Sequence, residues 1–526
     1  MRTHVQIAIT AAFLSAPLFP QGGGGVQFRD YKVPAPASRP RASCGGLVSL
    51  SGYDFSVYSA AIIPASDSVP EHCRVSVLVQ PDMNIEVNLP ALWNNRLYVF
   101  GNGGFAGEAF DAAGRVQNRA RGLQTGFVTA ATDTGHSAQR EPGGSFAVNR
   151  QKFIDFGFRS VHLTAETAKR LIAAYYSNPL DKSYFDGCST GGRQALILAQ
   201  RFPNDFDGII AGSPGLNYTG GQIARVYWKQ GLAANPLPAS KLSLLASRVY
   251  EQCDAKDGLK DGLIDDPLRC DFQPARDLPR CDGSADRPDC FTAGQIAALE
   301  RVYGDVARQG KRFFPGWPVG AEAAGPNGQS AWVGQYIDSP NGQSAWNGYA
   351  GGFIRFMLNP AAPLASLTDV DAMRNFDINK DSAELAFARQ VLDATDPDLS
   401  AFRQHGGKLI IYFGWADPQL NPRMGLEYYE DIVAKMGPST SDFARLFMVP
   451  GMFHCSGGVG TSTFDSATPL VHWVEQGQAP ASIPAARIVG GQTIRTRPLC
   501  PWPEVARYKG SSSIDDAANF TCRIPE

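Results

Sequence analysis

Gly187-Cys188-Ser189-Thr190-Gly191 reads G-x-S-x-G, the pattern in which a serine stands on a sharp strand-to-helix turn with its oxygen exposed. The flanks suit that turn. Residues 183–186 are strand-like and run in, Gly191-Gly192-Arg193 opens a helical stretch, and the small residues admit a strained backbone. A serine nucleophile needs a base and an acid, which in this arrangement follow in the order Ser, acid, His. Beyond residue 410 the histidines are His454 and His472. His472 lies in the helix-like stretch 470–475, where packing or surface roles are expected. His454 follows the strand-like run 445–449 in the loop Pro450-Gly451-Met452-Phe453, so a rigid element carries it, and it is the expected base. Asp417 follows the apolar run 408–414 in Trp415-Ala416-Asp417-Pro418 and is the expected acid; Asp431 and Asp442 lack a strand end. An oxyanion needs fixed N–H donors. The amide of Thr190 supplies one, and Gly101-Asn102-Gly103-Gly104-Phe105, after the strand-like run 96–100, supplies the other from Gly103 or Gly104.

These side chains must be presented by a sheet. Short apolar runs at 96–100, 127–131, 184–185, 208–211, 408–414 and 445–449 alternate with helical patterns such as 159–176, where Val161, Ala165, Ala168 and Ile172 share a face. Alternation of that kind predicts an α/β fold with a doubly wound, mostly parallel sheet covered on both faces. The pattern stops near Pro214 and resumes near Leu399. Residues 26–214 and 399–526 therefore form the two parts of the core. Residues 215–398 are expected to form a large inserted lid over the sheet's C-terminal edge, where open α/β folds bind ligands.

The chain has 526 residues, 44% hydrophobic and 19% charged, with a formal net charge of −2. Hydrophobicity at that level excludes a disordered chain. The charge balance gives none of the electrostatic footprint of a nucleic-acid binder. Residues 1–25 have a short basic start, an apolar run and a small-residue stretch, the anatomy of a signal peptide. Elsewhere nothing is long and apolar enough to predict a membrane span, so a secreted or periplasmic protein is expected. Ten cysteines in an exported chain point to disulfides. Spacing alone does not fix their pairing. Local closure favours Cys44–Cys73, Cys253–Cys270, Cys281–Cys290 and Cys500–Cys522, which leaves Cys188 beside Ser189 for Cys455 beside His454.

Gly187-Cys188-Ser189-Thr190-Gly191-Gly192-Arg193, Gly414-Trp415-Ala416-Asp417-Pro418 and Pro450-Gly451-Met452-Phe453-His454-Cys455 together resemble the tannase/feruloyl esterase family. Ala131-Thr132-Asp133-Thr134-Gly135-His136 looks like a further family segment. The resemblance implies an α/β-hydrolase core with a large lid, a disulfide next to the nucleophile, and secreted hydrolysis of small aromatic carboxylic esters of feruloyl, hydroxycinnamoyl or galloyl type. Hydrolysis of mono(2-hydroxyethyl) terephthalate is the alternative. A noncatalytic wall-binding protein is a more distant one, opposed by the intact Ser, Asp and His.

Residues 253–267 read CDAKDGLKDGLIDDP and gather Asp254, Asp257, Asp261 and Asp265 around two glycines. Hard oxygen ligands at that density suit Ca²⁺. The family resemblance implies a structural calcium in the lid held by Asp254, Asp257 and Asp261, with carbonyls from Leu259 and Leu263. No catalytic cofactor is expected, since a Ser-His-Asp set needs none. For the substrate, Trp317, Trp332, Trp346, Phe353 and Phe356 are the aromatic candidates for a wall, and Arg355 is a candidate cation for a free carboxylate.

Overall fold

The computed structural model describes residues 27–29, 31, 38–283, 285–323, 325, 331–339, 344–358 and 366–525. The expected signal peptide lies outside the described residues. Nine strands form the main sheet: β1 Phe55–Ile63, β2 His72–Val79, β3 Met83–Pro90, β4 Arg96–Phe100, β5 Val128–Thr132, β6 Lys182–Cys188, β7 Gly208–Gly212, β8 Lys408–Gly414 and β9 Ala444–Val449. Their order is β1-β2-β3-β5-β4-β6-β7-β8-β9. The stretch from β5 through β4, β6, β7 and β8 to β9 is parallel throughout. β1, β2 and β3 join it as an antiparallel extension through β3 and β5.

Both faces of the parallel part are covered, and successive residues show it. Phe185, Ile209 and Ile411 belong to one buried cluster, which continues into Trp228, Trp332 and Trp346 of the segment between β7 and β8. Their neighbours Tyr184, Ile210 and Tyr412 belong to another, with Leu470, Trp473 and Ile483 from the C-terminal region. Since strand side chains alternate between faces, the near-continuous apolar runs of β4 to β9 are what a sheet buried on both sides requires.

The chain leaves this sheet after Gly212 and returns at Lys408. The intervening segment is largely helical and includes Tyr218–Ala234, Leu242–Cys253, Ala293–Tyr303 and Ala345–Gly352. After β9, a three-stranded sheet of Thr463–Phe464, Ile483–Val489 and Gln492–Leu499 and a two-stranded ribbon of Val505–Tyr508 and Phe520–Arg523 complete the chain. Five disulfides join Cys44 to Cys73, Cys188 to Cys455, Cys253 to Cys270, Cys281 to Cys290 and Cys500 to Cys522.

Candidate active site

Parallel strands end on the same edge of a sheet, so the loops after β4, β6, β8 and β9 meet there. The loop after β6 carries Ser189 at φ 65°, ψ −120°, before the helix Thr190–Arg201. A non-glycine residue in that conformation is strained and needs support. The Ser189 amide donates to Gly212 O at 3.0 Å, and Ser189 O accepts from the Arg193 amide at 3.0 Å. Glycine is required around the turn. A Cβ at Gly187 would meet the Gly191 backbone at 2.6 Å, and one at Gly192 would meet Gly212 O at 2.3 Å.

Asp417 follows β8 and His454 follows β9. His454 Nδ1 is 2.8 Å from Asp417 Oδ2, and both side chains are buried. The other carboxylate oxygen, Oδ1, accepts the amides of Gln419 at 2.8 Å and Leu420 at 3.0 Å. An ionised carboxylate only accepts, so Nδ1 carries the proton and Nε2 is left with its lone pair. The Cys188–Cys455 bond, with Cα atoms 6.0 Å apart, ties the residue before Ser189 to the residue after His454. No direct hydrogen bond joins Ser189 Oγ to His454; such bonds are often long before substrate binds. His472 sits in the helix Ala467–Gln476 and lines a different pocket, with Phe464 and Asp465.

The glycine loop after β4 is pinned to the same turn. Thr190 Oγ1 donates to Gly104 O at 2.6 Å, and the Asn102 amide donates to Gln194 Oε1 at 3.0 Å. Gly104, Ser189 and Thr190 line one cavity of about 600 Å³ including its mouth. Gly103 is not in that lining; its carbonyl accepts from the Ala106 amide at 2.7 Å. The Thr190 amide lies in the first helical turn, where N–H groups have no intrahelical acceptor.

The far wall corrects the expected substrate contacts. Trp346 is fully buried against Trp228, Trp317 and Tyr336. Phe353 is buried with Phe156 and Ile223 in a separate cluster. Arg355 is ion-paired with Asp369 at 2.7 Å. None of the three lines the cavity, and neither do Trp332 and Phe356. Of the aromatic candidates, Trp317 does line it. Other parts of the wall come from residues the sequence did not single out, among them Tyr218, Gln222 and Arg225 on one helix, with Phe314, Tyr349 and Leu420. Arg225 donates to Gln222 Oε1 at 2.9 Å and to Gln419 O at 2.5 Å, both neutral acceptors. Its i, i+3 and i+7 spacing from Gln222 and Tyr218 was a usable signal, but only once the facing partner was known.

The acidic loop folds on its own backbone. Asp254 Oδ1 accepts the amides of Asp261 at 3.1 Å and Gly262 at 3.0 Å; Asp257 Oδ1 accepts that of Leu259 at 2.8 Å, and Asp261 Oδ1 that of Leu263 at 3.1 Å. Asp261 also pairs with Arg497 at 2.6 Å. Burial, with the nearby charge of Asp261, pushes Asp257 up to about 6 and Asp265 well above its ordinary range. Among the described residues no three His, Cys, Asp or Glu side chains already stand as a closed metal cage. The donor chemistry nevertheless fits a hard cation: carboxylates crowd together in a partly buried loop, and oxygen is the only donor element they offer.

A family model described as tannase and feruloyl esterase matches residues 68–523. The mono(2-hydroxyethyl) terephthalate hydrolase of Piscinibacter sakaiensis is 34% identical, with 89% of this chain and 87% of that protein covered. Feruloyl esterase B of Aspergillus niger is 30% identical, with 89% of each chain covered. The solved structure of feruloyl esterase B from Aspergillus oryzae is similar at a TM-score of 0.77 and 25% identity, covering 91% of this chain and 100% of that one. Strand-end serine, aspartate and histidine, a sheet of this order and these likenesses agree: the chain belongs to the tannase and feruloyl esterase family.

Proposed function

We propose that this carboxylic ester hydrolase cleaves small aromatic esters of feruloyl, hydroxycinnamoyl or galloyl type through an acyl-enzyme on Ser189. His454 Nε2 takes the Ser189 proton as Oγ attacks the ester carbonyl. Asp417 holds the imidazole in the tautomer that leaves Nε2 free and stabilises it once protonated. The amides of Gly104 and Thr190 receive the oxyanion, and the protonated His454 then gives its proton to the departing alkoxide. Water, deprotonated by the same histidine, attacks the acyl-enzyme, and the histidine returns that proton to Ser189 Oγ as the acid leaves. The observation that carries this reading is the 2.8 Å His454–Asp417 contact on strand ends flanking the Ser189 turn. The segment between β7 and β8 acts as the lid. Trp317, Phe314 and Tyr349 give its side of the cavity aromatic faces suited to a planar acyl group.

A second reading, hydrolysis of mono(2-hydroxyethyl) terephthalate, is favoured by Arg225, which lines the cavity and whose guanidinium bonds neutral acceptors. A carboxylate at the far end of the substrate would complement it. Turnover of methyl ferulate, methyl gallate and mono(2-hydroxyethyl) terephthalate by wild type and Arg225→Met separates the two. For the first reading, kcat/KM is highest on methyl ferulate or methyl gallate and changes little with the substitution. A preference for the terephthalate monoester, lost by tenfold or more in the variant, selects the second.

The acidic loop is proposed to hold a structural Ca²⁺ through Asp254, Asp257 and Asp261 with the carbonyls of Leu259 and Leu263; bound there, the ion would neutralise the crowded carboxylates and stiffen the loop. Five disulfides support an oxidising compartment. Among the described residues no helix is long and apolar enough to cross a membrane. Export to the periplasm or the medium is the localisation these features favour.

A further inference from the structure

The segment Ala131–His136 lines no part of the cavity, yet its hydrogen bonds run to the glycine loop after β4. His136 is buried, its ring stacked on Phe146 with centroids 3.8 Å apart and planes 17° apart. Its Nε2 lies 2.9 Å from Phe105 O. A carbonyl only accepts, and this contact is shorter than the 3.4 Å from Nδ1 to Thr134 O, so Nε2 carries the proton. Around this contact the loop is fastened at each step. Asn102 Nδ2 donates to Thr132 O at 2.9 Å, the Gly107 amide donates to Asp133 O at 3.1 Å, and the Ala138 amide donates to Gly107 O at 2.9 Å. Gly107 has φ +74°, and a Cβ there would meet Ala138 N at 2.5 Å and the His136 ring at 2.7 Å, so the two segments touch backbone to ring. The His136 segment is itself anchored. Asp133 accepts the amides of Asn84 and Gly135 and the Asn84 side chain, at 2.8–3.0 Å, and Asn84 belongs to β3.

Three successive carbonyls of the glycine loop are thereby fixed. Gly103 O accepts from Ala106, Gly104 O from Thr190 Oγ1, and Phe105 O from His136. The Gly103 carbonyl and the Gly104 N–H share one peptide plane, so holding the loop aims that N–H. We infer that His136 is a positioning residue for the oxyanion hole, acting through the Phe105 carbonyl to hold the Gly104 amide at the reacting centre. This rests on the serine-esterase reading above. A histidine that merely fills the core would serve folding and leave transition-state binding alone; a positioning histidine acts on the charge that develops during reaction. Burial holds the imidazole's pKa below its ordinary value, in keeping with a neutral donor.

The test compares His136→Phe, which keeps a ring against Phe146 but loses the donor, with His136→Gln, whose side-chain amide can reach the same carbonyl. Each is assayed on methyl ferulate and titrated with phenylboronic acid, which forms a tetrahedral adduct on serine, and with ferulic acid as a ground-state ligand. For His136→Phe, kcat falls roughly 10- to 100-fold, the scale of a displaced or lost oxyanion donor. KM and ferulic acid affinity stay within about twofold, phenylboronic acid binding weakens in step with kcat, and His136→Gln recovers most of both. A kcat within twofold of wild type in folded His136→Phe overturns the inference, as does a His136→Gln variant as impaired as His136→Phe. Should His136→Phe not fold, ¹⁵N NMR of the wild-type imidazole decides: a neutral Nε2–H tautomer supports the inference and an Nδ1–H tautomer overturns it. Ser189→Ala, assayed alongside, reports separately on the serine-esterase reading, since activity there would sink that reading whatever His136 does.

Discussion

The sheet's C-terminal edge and the segment that covers it solve the same problem, placing side chains around one cavity, in different ways. At the edge, Ser189, Asp417 and His454 each sit within five residues of a buried strand's end. Strand register fixes their origin, and short loops with local hydrogen bonds fix the rest. In the covering segment, Arg225 and Tyr349 come from separate helices, and Trp317 from an irregular stretch. Apart from the Gln222 bond to Arg225, their contacts come from distant parts of the chain: Trp228, Trp317, Trp346 and Tyr336 pack on one another, and the Arg225 guanidinium lies over the Trp346 and Tyr349 rings. Under the proposed mechanism, chemistry falls to the rigid half and recognition to the half whose geometry depends on long-range packing.

The largest expected effect tests the rigid half. Ser189→Ala and His454→Ala should each lower kcat by about 10⁴–10⁶, on the precedent of triad knockouts in a serine protease. His472→Ala, in a helix that serves the core, should stay within a fewfold of wild type. Activity above a tenth of wild type in a pure, folded Ser189→Ala sample removes the assignment; loss at His472 comparable to that at His454 would erase the distinction between strand-end and helix histidines.

The next test asks whether the edge is held by its strands alone. Cys188 and Cys455 close a loop of 267 residues by sequence separation, against 22 for Cys500 and Cys522. Chain-entropy reasoning gives about 5–6 kcal/mol for the first and about 3 kcal/mol for the second. Position adds to this, since the long link joins the neighbours of nucleophile and base, where a shift of about 1 Å costs roughly 100-fold in rate. The double substitution Cys188→Ala with Cys455→Ala should therefore cut kcat about 100-fold at a temperature where circular dichroism shows it folded. Loss of Cys500–Cys522 should leave kcat near wild type under the same condition. Equal rates in the two variants would mean that β6 and β9 alone hold the geometry.

Chelation, which would strip the proposed calcium, probes the covering half. A cation bound only by the folded state stabilises by about 2.7 kcal/mol at one hundred times its Kd. Excess EGTA should lower Tm while leaving kcat at moderate temperature within about twofold. An unchanged Tm, with elemental analysis free of calcium, rejects the site; a loss of kcat without a fall in Tm would place the ion's effect at the catalytic edge instead.

The two halves also differ in how much the sequence discloses. The strand-end placement of Ser189, Asp417 and His454 was legible because each follows an apolar run, and Cys188 and Cys455 stand beside two of them. The parallel core was legible for the same reason. The antiparallel strands β1 to β3 were not among the runs identified, although His72–Val79 alternates buried and half-buried residues as a strand should. In the covering segment Trp346, Phe353 and Arg355 had the right chemistry and the wrong location. Their burial or pairing depends on partners far away in sequence, and no periodicity records which aromatic faces the cavity. The pairing of Asp261 with Arg497, 236 residues later, was hidden for that reason too.

The smallest effect returns to the edge and to a cost built into it. Asp186 lies on β6 three residues before Ser189 and is fully buried; Tyr98 Oη donates to its Oδ2 at 2.9 Å, while Oδ1 has no hydrogen-bond partner. Burial pushes its pKa up to about 6, with the Tyr98 hydrogen bond acting in the opposite direction. The folded state therefore holds this proton more tightly than the unfolded chain. Its contribution to stability is fully present below the unfolded pKa and declines as pH rises towards about 6, with a slope of at most about 1.4 kcal/mol per pH unit for one proton. Asp133 and Asp393, also raised to about 6 by burial, add slopes of the same sign, so the wild-type curve alone does not isolate Asp186. The difference between wild type and Asp186→Asn does, because an amide keeps an acceptor for Tyr98 and cannot ionise. Urea unfolding at pH 4, 5, 6 and 7 should show the variant gaining on wild type as pH rises from 4 to 6 and running parallel above about 7. A constant difference across the range would mean that Asp186 titrates alike in both states and that the strand beneath the nucleophile carries no ionisation cost.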